Sequence, residues 1–264
     1  MAIKRRTFLK FLGIGSISTI GVAGFGNLFS KAEVKVVEHT APEGALKGQR
    51  WGLVIDVKKC VEAGENCLSN CAAIQACHLT HNVPNIPDKK KEIKWIWVDK
   101  FEHAFPDLKD DRIIEHLSKF PFLLLCNHCD DPPCVRVCPT KATFKRSDGI
   151  VMMDFHRCIG CRFCMAGCPY GSRSFNWIDP RPYLVKVNPE FPTRTPGVVE
   201  KCLFCYERLD EGKLPACVEA CSSKALIFGD LNDPNSEIRQ ILKERFAIRR
   251  KPELGTNPSV YYVL

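Results

Sequence analysis

The chain's capacity for chemistry is concentrated in its cysteines. Sixteen of its 264 residues are cysteine, and they divide along the sequence into four groups of four. The groups are Cys60, Cys67, Cys71 and Cys77 (group one), Cys126, Cys129, Cys134 and Cys138 (group two), Cys158, Cys161, Cys164 and Cys168 (group three), and Cys202, Cys205, Cys217 and Cys221 (group four). Thiols at this density could form disulfides, bind zinc or hold iron–sulfur clusters.

The spacing of groups two and three favours iron–sulfur clusters. Group three reads C-x2-C-x2-C-x3-C-P, the pattern of bacterial ferredoxins. Group two has a longer middle step and also ends in Cys-Pro, at Pro139. In this pattern three closely spaced thiolates bind one [4Fe–4S] cube, and the fourth reaches a neighbouring cube.

The other two uses of cysteine fit these groups poorly. Disulfide frameworks belong mainly to short secreted chains, and cysteines separated by two residues bridge poorly. Zinc sites usually combine two Cys-x-x-Cys pairs across a longer loop, often with histidine. Neither pattern predicts two compact runs that end in Cys-Pro.

The formal net charge of +8 is unevenly distributed. Residues 1–32 contain five lysines and arginines and no acid, and the remaining 33 basic and 30 acidic residues give about +3. An oxidised cube with four thiolates carries about 2−, so four cubes would contribute about −8. The loaded protein is therefore expected to be mildly acidic, and nucleic acid is not an expected partner.

Residues 1–32 have the features of an export signal. Arg5 and Arg6 precede Thr-Phe-Leu-Lys, and Phe11 to Phe29 is an uncharged stretch diluted by five glycines. This resembles the twin-arginine signals of redox proteins, whose route exports folded, cofactor-loaded chains. An ordinary secretory signal or a retained membrane anchor is the alternative, and Ser30-Lys-Ala32 offers a cleavage site.

Short elements are expected to position the cysteines. The expected strands are 51–57, 94–98, 142–145 and 150–154, the last two forming a hairpin, and the expected helices are 68–79 and 111–119. Three segments contain no cysteine: an insertion at 82–125, a connector at 171–199 and a C-terminal tail at 231–264.

Internal repeats indicate how the groups combine. The run from Pro133 to Phe144 is echoed by the run from Ala216 to Phe228, so group four resembles group two. An Asp-x-x-x-Cys motif ends at Cys158 and another ends at Cys60, so group one resembles group three.

We therefore predict an α+β fold made of two bacterial-type ferredoxin-like units in a nested arrangement. Groups two and three form the inner unit, residues 126–170. Groups four and one form the outer unit, residues 51–81 plus 200–230. In the outer unit a strand at 225–228 is expected to pair with one at 53–57.

Crossed donation of each fourth cysteine then defines four ligand sets. Set I is Cys158, Cys161, Cys164 and Cys138; set II is Cys126, Cys129, Cys134 and Cys168; set III is Cys202, Cys205, Cys217 and Cys77; set IV is Cys60, Cys67, Cys71 and Cys221. All sixteen cysteines are used, which predicts four [4Fe–4S] clusters.

The outer sets depart from the ferredoxin pattern. Six residues separate Cys60 from Cys67, and His78 and Ser222 stand where that pattern has proline. The alternative for the outer sets is therefore a three-iron cluster or no cluster.

The groups, in this order and with Cys126-Asn-His-Cys-Asp-Asp-Pro-Pro-Cys134, resemble the four-cluster iron–sulfur subunits of the DMSO reductase family. Residues 76–84, Trp95-Ile-Trp97 and 101–106 resemble the DsrO-type subunits of DsrMKJOP complexes, found in sulfate- and sulfur-metabolising microbes. The resemblance implies a protein on the periplasmic or extracytoplasmic face of the membrane. It would be seated on an NrfD-like polytopic, quinone-interacting subunit and lie near a multihaem cytochrome c.

Several other residues could assist the chemistry. His128, between two cysteines, could tune a cluster through its environment, although a packed loop histidine is the simpler interpretation. A ligand role for His78 or His81 would make a cysteine redundant. Tryptophans 95, 97 and 177 are expected to pack, and Lys89 to Lys91 to form a solvated loop.

The sequence contains no nucleophile–base constellation, phosphate-binding loop or dinucleotide fingerprint, so substrate chemistry is expected elsewhere. The leading hypothesis is a non-catalytic electron-transfer subunit. A zinc-rich binding or scaffold module is the first alternative. The second alternative is an enzyme that binds substrate at an open iron. Sixteen cysteine ligands for four cubes leave no iron open, which argues against it.

Overall fold

The computed structural model describes residues 34–64, 67, 70–108 and 121–264. The export signal expected at 1–32 and the helix expected at 111–119 lie outside the described residues. Val34–Leu264 form one compact unit. Of the helices described, none combines the length and the apolar character that crossing a bilayer requires.

The regular elements are short. The strands are β1 Val36–Val37, β2 Trp51–Asp56, β3 Ile96–Lys100, β4 Pro121–Leu125, β5 Thr143–Arg146, β6 Val151–Met153, β7 Ser174–Phe175, β8 Val199–Glu200, β9 Leu226–Asp230, β10 Ala247–Ile248 and β11 Val260–Val263. The α-helices are α1 Val57–Glu62, α2 Ala72–Thr80, α3 Phe101–Ala104, α4 Pro133–Arg136, α5 Phe163–Ala166, α6 Tyr206–Asp210, α7 Ala216–Glu219 and α8 Glu237–Glu244, with 3₁₀ turns at Arg181–Tyr183 and Pro252–Leu254.

The largest sheet joins the two ends of the described chain, in the order β10-β11-β2-β9. β9 runs antiparallel to β2 and places Phe228 opposite Leu53, so the predicted pairing of these two segments is confirmed. β11 pairs parallel to the other edge of β2, with Val260 opposite Leu53. All six residues of β2 are buried because it has a neighbour on each edge and a layer on each face.

Two layers cover this sheet. Leu53 and Tyr262 belong to the main core, which extends through most of the molecule. Val54 and Val263 point the other way and meet Ile238 of α8 in a second, smaller core. At Gly52 a Cβ atom would lie 2.6 Å from Leu231, so only glycine allows this approach.

The remaining strands form three small sheets. β5 and β6 form the predicted hairpin, with Thr143 opposite Met153, and β1 pairs parallel with β5. β3 pairs antiparallel with β4 inside the expected insertion, and β7 with β8. Tyr262 of β11 donates a hydrogen bond to the Leu123 carbonyl of β4 at 3.1 Å, which ties the large sheet to the β3–β4 pair.

Several predicted boundaries were wrong. The first strand ends at Asp56 rather than residue 57, because the Asp56 carboxylate accepts a hydrogen bond from the Lys59 N–H at 3.2 Å and begins α1. The helix expected at 68–79 is described at Ala72–Thr80, and the strand expected at 94–98 lies at Ile96–Lys100. The tail contributes α8, β10 and β11, which periodicity did not reveal.

Replacing Ile238 with alanine should destabilise the folded protein, because the Ile238 side chain is fully buried between α8 and the sheet. Truncation to alanine in a core typically lowers the free energy of unfolding by about 2–5 kcal/mol. Denaturant unfolding followed by circular dichroism measures the change. The matched control is F246A, since Phe246 is 76% exposed, and its effect should stay within about 0.5 kcal/mol.

Candidate metal centres

One-turn helices present the third cysteine of groups two, three and four. Cys134 lies in α4, Cys164 in α5 and Cys217 in α7, and all three side chains are buried. Group one differs because Cys71 begins α2 and Cys77 lies in its last turns. Each short helix ends within four residues, so the next loop brings the following cysteine back towards the core.

Left-handed backbone bends the loops between cysteines. His128 has φ 41°, Arg162 φ 63° and Cys205 φ 52°, each within or beside a Cys-x-x-Cys step. Gly160 has φ 70°, and a Cβ atom there would lie 2.4 Å from the Gly197 carbonyl oxygen. The Cys158–Cys161 step therefore requires glycine for two reasons, conformation and space.

The structure brings the thiols of set IV together. Burial raises the pKa of the Cys60 thiol to about 12, and charge on the other three thiols of set IV adds to the rise. Three of these thiols come from group one, whereas Cys221 comes from group four. The Cys221 sulfur also lies 3.5 Å from the Ser223 hydroxyl.

The four thiols of set III line one cavity together with Leu53, Phe204 and Phe228. Burial raises the pKa of Cys77 well above its ordinary value, and the other three thiols of the set raise it further. Cys77 thus faces group four rather than the other members of group one.

Set II is assembled in the same crossed way. Burial raises the pKa of Cys129, charge on the other three thiols of set II raises it further, and a hydrogen bond with Thr256 opposes the rise. Cys168 contributes to this set although it belongs to group three.

Set I is partly exposed, because three of its four cysteines are half-buried. Cys164 is buried and has Cys138 as a neighbour, as crossed donation requires. Burial alone would raise the pKa of Cys138, but N–H groups and the Thr140 hydroxyl lower it overall. Cys158 and Cys161 are half-buried on the loop before α5, and the spacing of group three is what links them to Cys138.

Charge interactions between sets show their order. Cys164 of set I has Cys134 of set II as a neighbour. Cys202 of set III is affected by Cys126 of set II, and Cys217 of set III by Cys221 of set IV. The sets therefore follow one another in the order I, II, III, IV.

The donor chemistry fits iron–sulfur cubes. All sixteen cysteines, each within the described residues, are free thiols, so the structure contains no disulfide among them. Four buried thiolates repel one another, and a cationic metal core offsets both the repulsion and the desolvation. The Asn127 amide and His128 Nε2, beside group two cysteines, are buried without a hydrogen-bond partner in the described structure. The N–H groups of the Asn127 amide and of His128 Nε2 would be available to donate hydrogen bonds to cluster sulfur.

His128 is a packed histidine, as the simpler interpretation held. Its Nδ1 accepts the Val151 N–H at 3.1 Å, and its ring stacks on Phe204 with centroids 3.8 Å apart. Burial lowers its pKa well below the ordinary value. An accepting Nδ1 in a neutral ring leaves the proton on Nε2. The stack joins a group two loop to a group four loop.

His81 supports Cys77 from the end of α2. Its Nδ1 lies 2.9 Å from the Cys77 carbonyl oxygen and 3.7 Å from the Cys77 sulfur, and its Nε2 lies 2.7 Å from Glu207. His81, Cys205 and Glu207 place ligand atoms within 4.8 Å of one another. Because Cys205 belongs to set III, we interpret the trio as the surroundings of that set rather than a separate metal site.

The tryptophans mostly pack, as expected. Trp95 is buried and donates from Nε1 to the Glu200 carboxylate at 2.9 Å. Trp97 is half-buried, whereas Trp177 is 51% exposed and carries the Arg162 guanidinium 4.7 Å above its ring. Lys89 to Lys91 are largely exposed, as a solvated loop requires.

Sequence reasoning missed two buried cations, Arg173 and Lys201. Both side chains lie among the thiols, and both are buried. Arg173 follows group three by five residues, and Lys201 directly precedes Cys202. Proximity to the cysteines in the sequence was the available signal, but most charged residues in such loops are exposed.

Stability should depend on pH through His78. Burial lowers the pKa of His78 to about 4, so neutral His78 contributes fully above pH 6.5 and stability falls as the pH drops towards 4. Between pH 7 and pH 5 the loss is about 2 kcal/mol. Denaturant unfolding at several pH values should show a smaller loss in H78Q. H156Q, at an exposed histidine, should match the unsubstituted protein, and an equal loss in H78Q would contradict the assignment.

Comparison with known proteins agrees with this geometry. The 4Fe-4S dicluster domain family matches residues 119–181 and 182–231. The Hdr-like menaquinol oxidoreductase iron-sulfur subunit 1 of Archaeoglobus fulgidus is 41% identical, over 98% of this chain and 97% of that protein. The iron-sulfur cluster-binding subunit of menaquinone reductase from Nitratidesulfovibrio vulgaris is 36% identical over 81% and 88% of the two chains. Protein NrfC of Escherichia coli is 36% identical over 100% and 96%. Near-complete coverage at this identity shows that the chain belongs to the family of 4Fe-4S dicluster iron–sulfur subunits of menaquinol-oxidoreductase-type complexes.

Proposed function

We propose that this protein is an exported electron-transfer subunit that carries four [4Fe–4S] clusters, one in each of sets I to IV. Bound cubes would each accept and release one electron. The observation that carries the proposal is the convergence of thiols from two cysteine groups on one centre, seen most directly in the set III cavity. The protein itself supplies ligands, burial and spacing and leaves substrate chemistry to other subunits.

The order of the sets supports a relay. Transfer over long distances needs redox centres close to one another, and neighbouring sets contain thiols that affect each other's charge state. Set I, half-exposed, and set IV lie at opposite ends of this series. We propose that electrons enter at one end and leave at the other.

We further propose the nested domain organisation, with residues 126–170 as the inner unit and 51–81 plus 200–230 as the outer unit. The pairing of β2 with β9 supports the outer unit, and the β5–β6 hairpin supports the inner one. The segment 82–125 is then an insertion whose β3–β4 pair packs into the shared core, and 171–199 is the connector.

Two of the relatives are named for menaquinol or menaquinone chemistry. We propose the same class of partner: an NrfD-like polytopic subunit that exchanges electrons with a quinone pool, and a multihaem cytochrome c. The complex would be respiratory and linked to sulfur metabolism, with this chain in the position of DsrO. Export by the twin-arginine route would place it on the extracytoplasmic face.

Metal analysis of the full chain, prepared anaerobically, tests the cluster content. We expect about sixteen iron atoms and about sixteen acid-labile sulfides per molecule, since each cube contains four of each. Brown colour and a paramagnetic signal on reduction should accompany them. A colourless protein that contains zinc would instead establish the scaffold alternative.

Pairs of substitutions test which cysteines share a cube. C77S and C202S should each remove one cube, about four iron atoms, and the double variant should lose no more because both residues belong to set III. The matched control is C77S combined with C60S, which should lose about eight. If each cysteine group instead bound its own cluster, the two double variants would exchange results. Iron per folded molecule is the measurement.

A further inference from the structure

Buried cations without carboxylate partners are the strongest feature that the proposed function does not use. Five basic side chains of the described residues are buried: Arg146, Arg173, Arg194, Lys201 and Arg250. Two of them have ordinary partners, because Arg146 pairs with Asp148 at 2.7 Å and Arg194 with Glu200 at 2.6 Å.

Arg173 is only 5% exposed. Its Nη2 donates to the Thr143 hydroxyl at 2.8 Å, and its Nη1 approaches the Met153 sulfur at 3.8 Å. Within the described part of the chain, no carboxylate lies within 4.0 Å of it. Burying an uncompensated charge is strongly unfavourable, so an anion must be supplied by something else nearby.

The groups that face Arg173 are thiols from two sets. Cys164 belongs to set I, and the positive charge of Arg173 acts to lower the pKa of its thiol. Cys126, Cys134 and Cys168 belong to set II, and their charges raise the pKa of the guanidinium. Arg173 therefore lies at the junction between sets I and II.

Lys201 has the same relation to the next junction. It is fully buried, and its ammonium donates to the Cys202 carbonyl at 2.8 Å and to the Val151 carbonyl. Burial lowers its pKa, while Cys126 of set II and Cys202 of set III act to raise it. No carboxylate among the described residues pairs with it.

Arg250 shows what a buried cation without a metal-centre role looks like. It also lacks a carboxylate among the described residues, but its guanidinium donates to the Ala104 carbonyl at 2.9 Å and stacks on Tyr170. Arg250 has only such partners, whereas Arg173 and Lys201 each also have thiols of two sets beside them.

We propose that Arg173 places a fixed positive charge at the I–II junction and that Lys201 places one at the II–III junction. These charges raise the reduction potentials of the flanking clusters, so that neighbouring clusters can be reduced at the same time. This inference rests on the proposed function, because it needs clusters in sets I to III. A positive charge favours the more negative, reduced state of each neighbour, and the effect is large because both sites exclude water.

Redox titration of the full, cluster-loaded chain followed by electron paramagnetic resonance tests this. R173Q should lower the reduction equilibrium constant of the set I and set II clusters about tenfold, which is about 59 mV for a one-electron couple. R173K keeps the charge and should shift them much less. The matched control is R162Q, an exposed arginine beside Cys161, whose charge water screens.

Iron content separates the possible failures. Unsubstituted protein without iron would overturn the proposed function, whereas loaded R173Q with unchanged potentials would overturn only this inference. If R173Q does not retain iron, full iron in R173K supports a requirement for charge, and equal loss in R173K overturns it. K201Q should independently shift the clusters of sets II and III and leave that of set I in place.

Discussion

The fold depends on the need to keep four thiols close together, away from most of the solvent, at each of several points. Thiols that lie close together repel when ionised, and burial together with charge on neighbouring thiols raises the pKa of Cys60 and Cys217 to about 12. A chain without metal would gain by moving these groups apart. Short helices, left-handed turns and glycine at tight approaches hold the thiols together instead. These elements are what a scaffold for a cationic metal core requires.

Each centre also links parts of the chain that are distant in sequence. Cys77 of group one joins group four in set III, and Cys221 of group four joins group one in set IV, while β2 and β9 pair beside the set III cavity. The convergence of thiols and the pairing of strands therefore restrain the same pair of segments. The His128–Phe204 stack and Lys201 add contacts between the group two and group four loops.

Much of the site could be predicted because ligand spacing is a local property. The pairing of 225–228 with β2, which the structure confirms, and the crossed sets, which stay a prediction, both followed from Cys-Pro runs and repeats. β11 could not be predicted in the same way, because a parallel strand that joins the sheet from the tail has no cysteine beside it. Arg173 and Lys201 were missed because burial of a cation depends on what surrounds it, and nothing in Cys-x-x-Cys spacing specifies that. The boundary at Asp56 depended on a capping hydrogen bond that competes with strand propensity.

The position of β2 between β9 and β11 has a consequence for biosynthesis. A strand that leaves the ribosome early must wait for residues 226–230 and then 260–263 before both of its edges are occupied. The convergence of Cys221 with the group one thiols waits for almost as long. The large sheet therefore closes only after residues 260–263 have been made, so the segments around β2 mature together rather than progressively from the first of them.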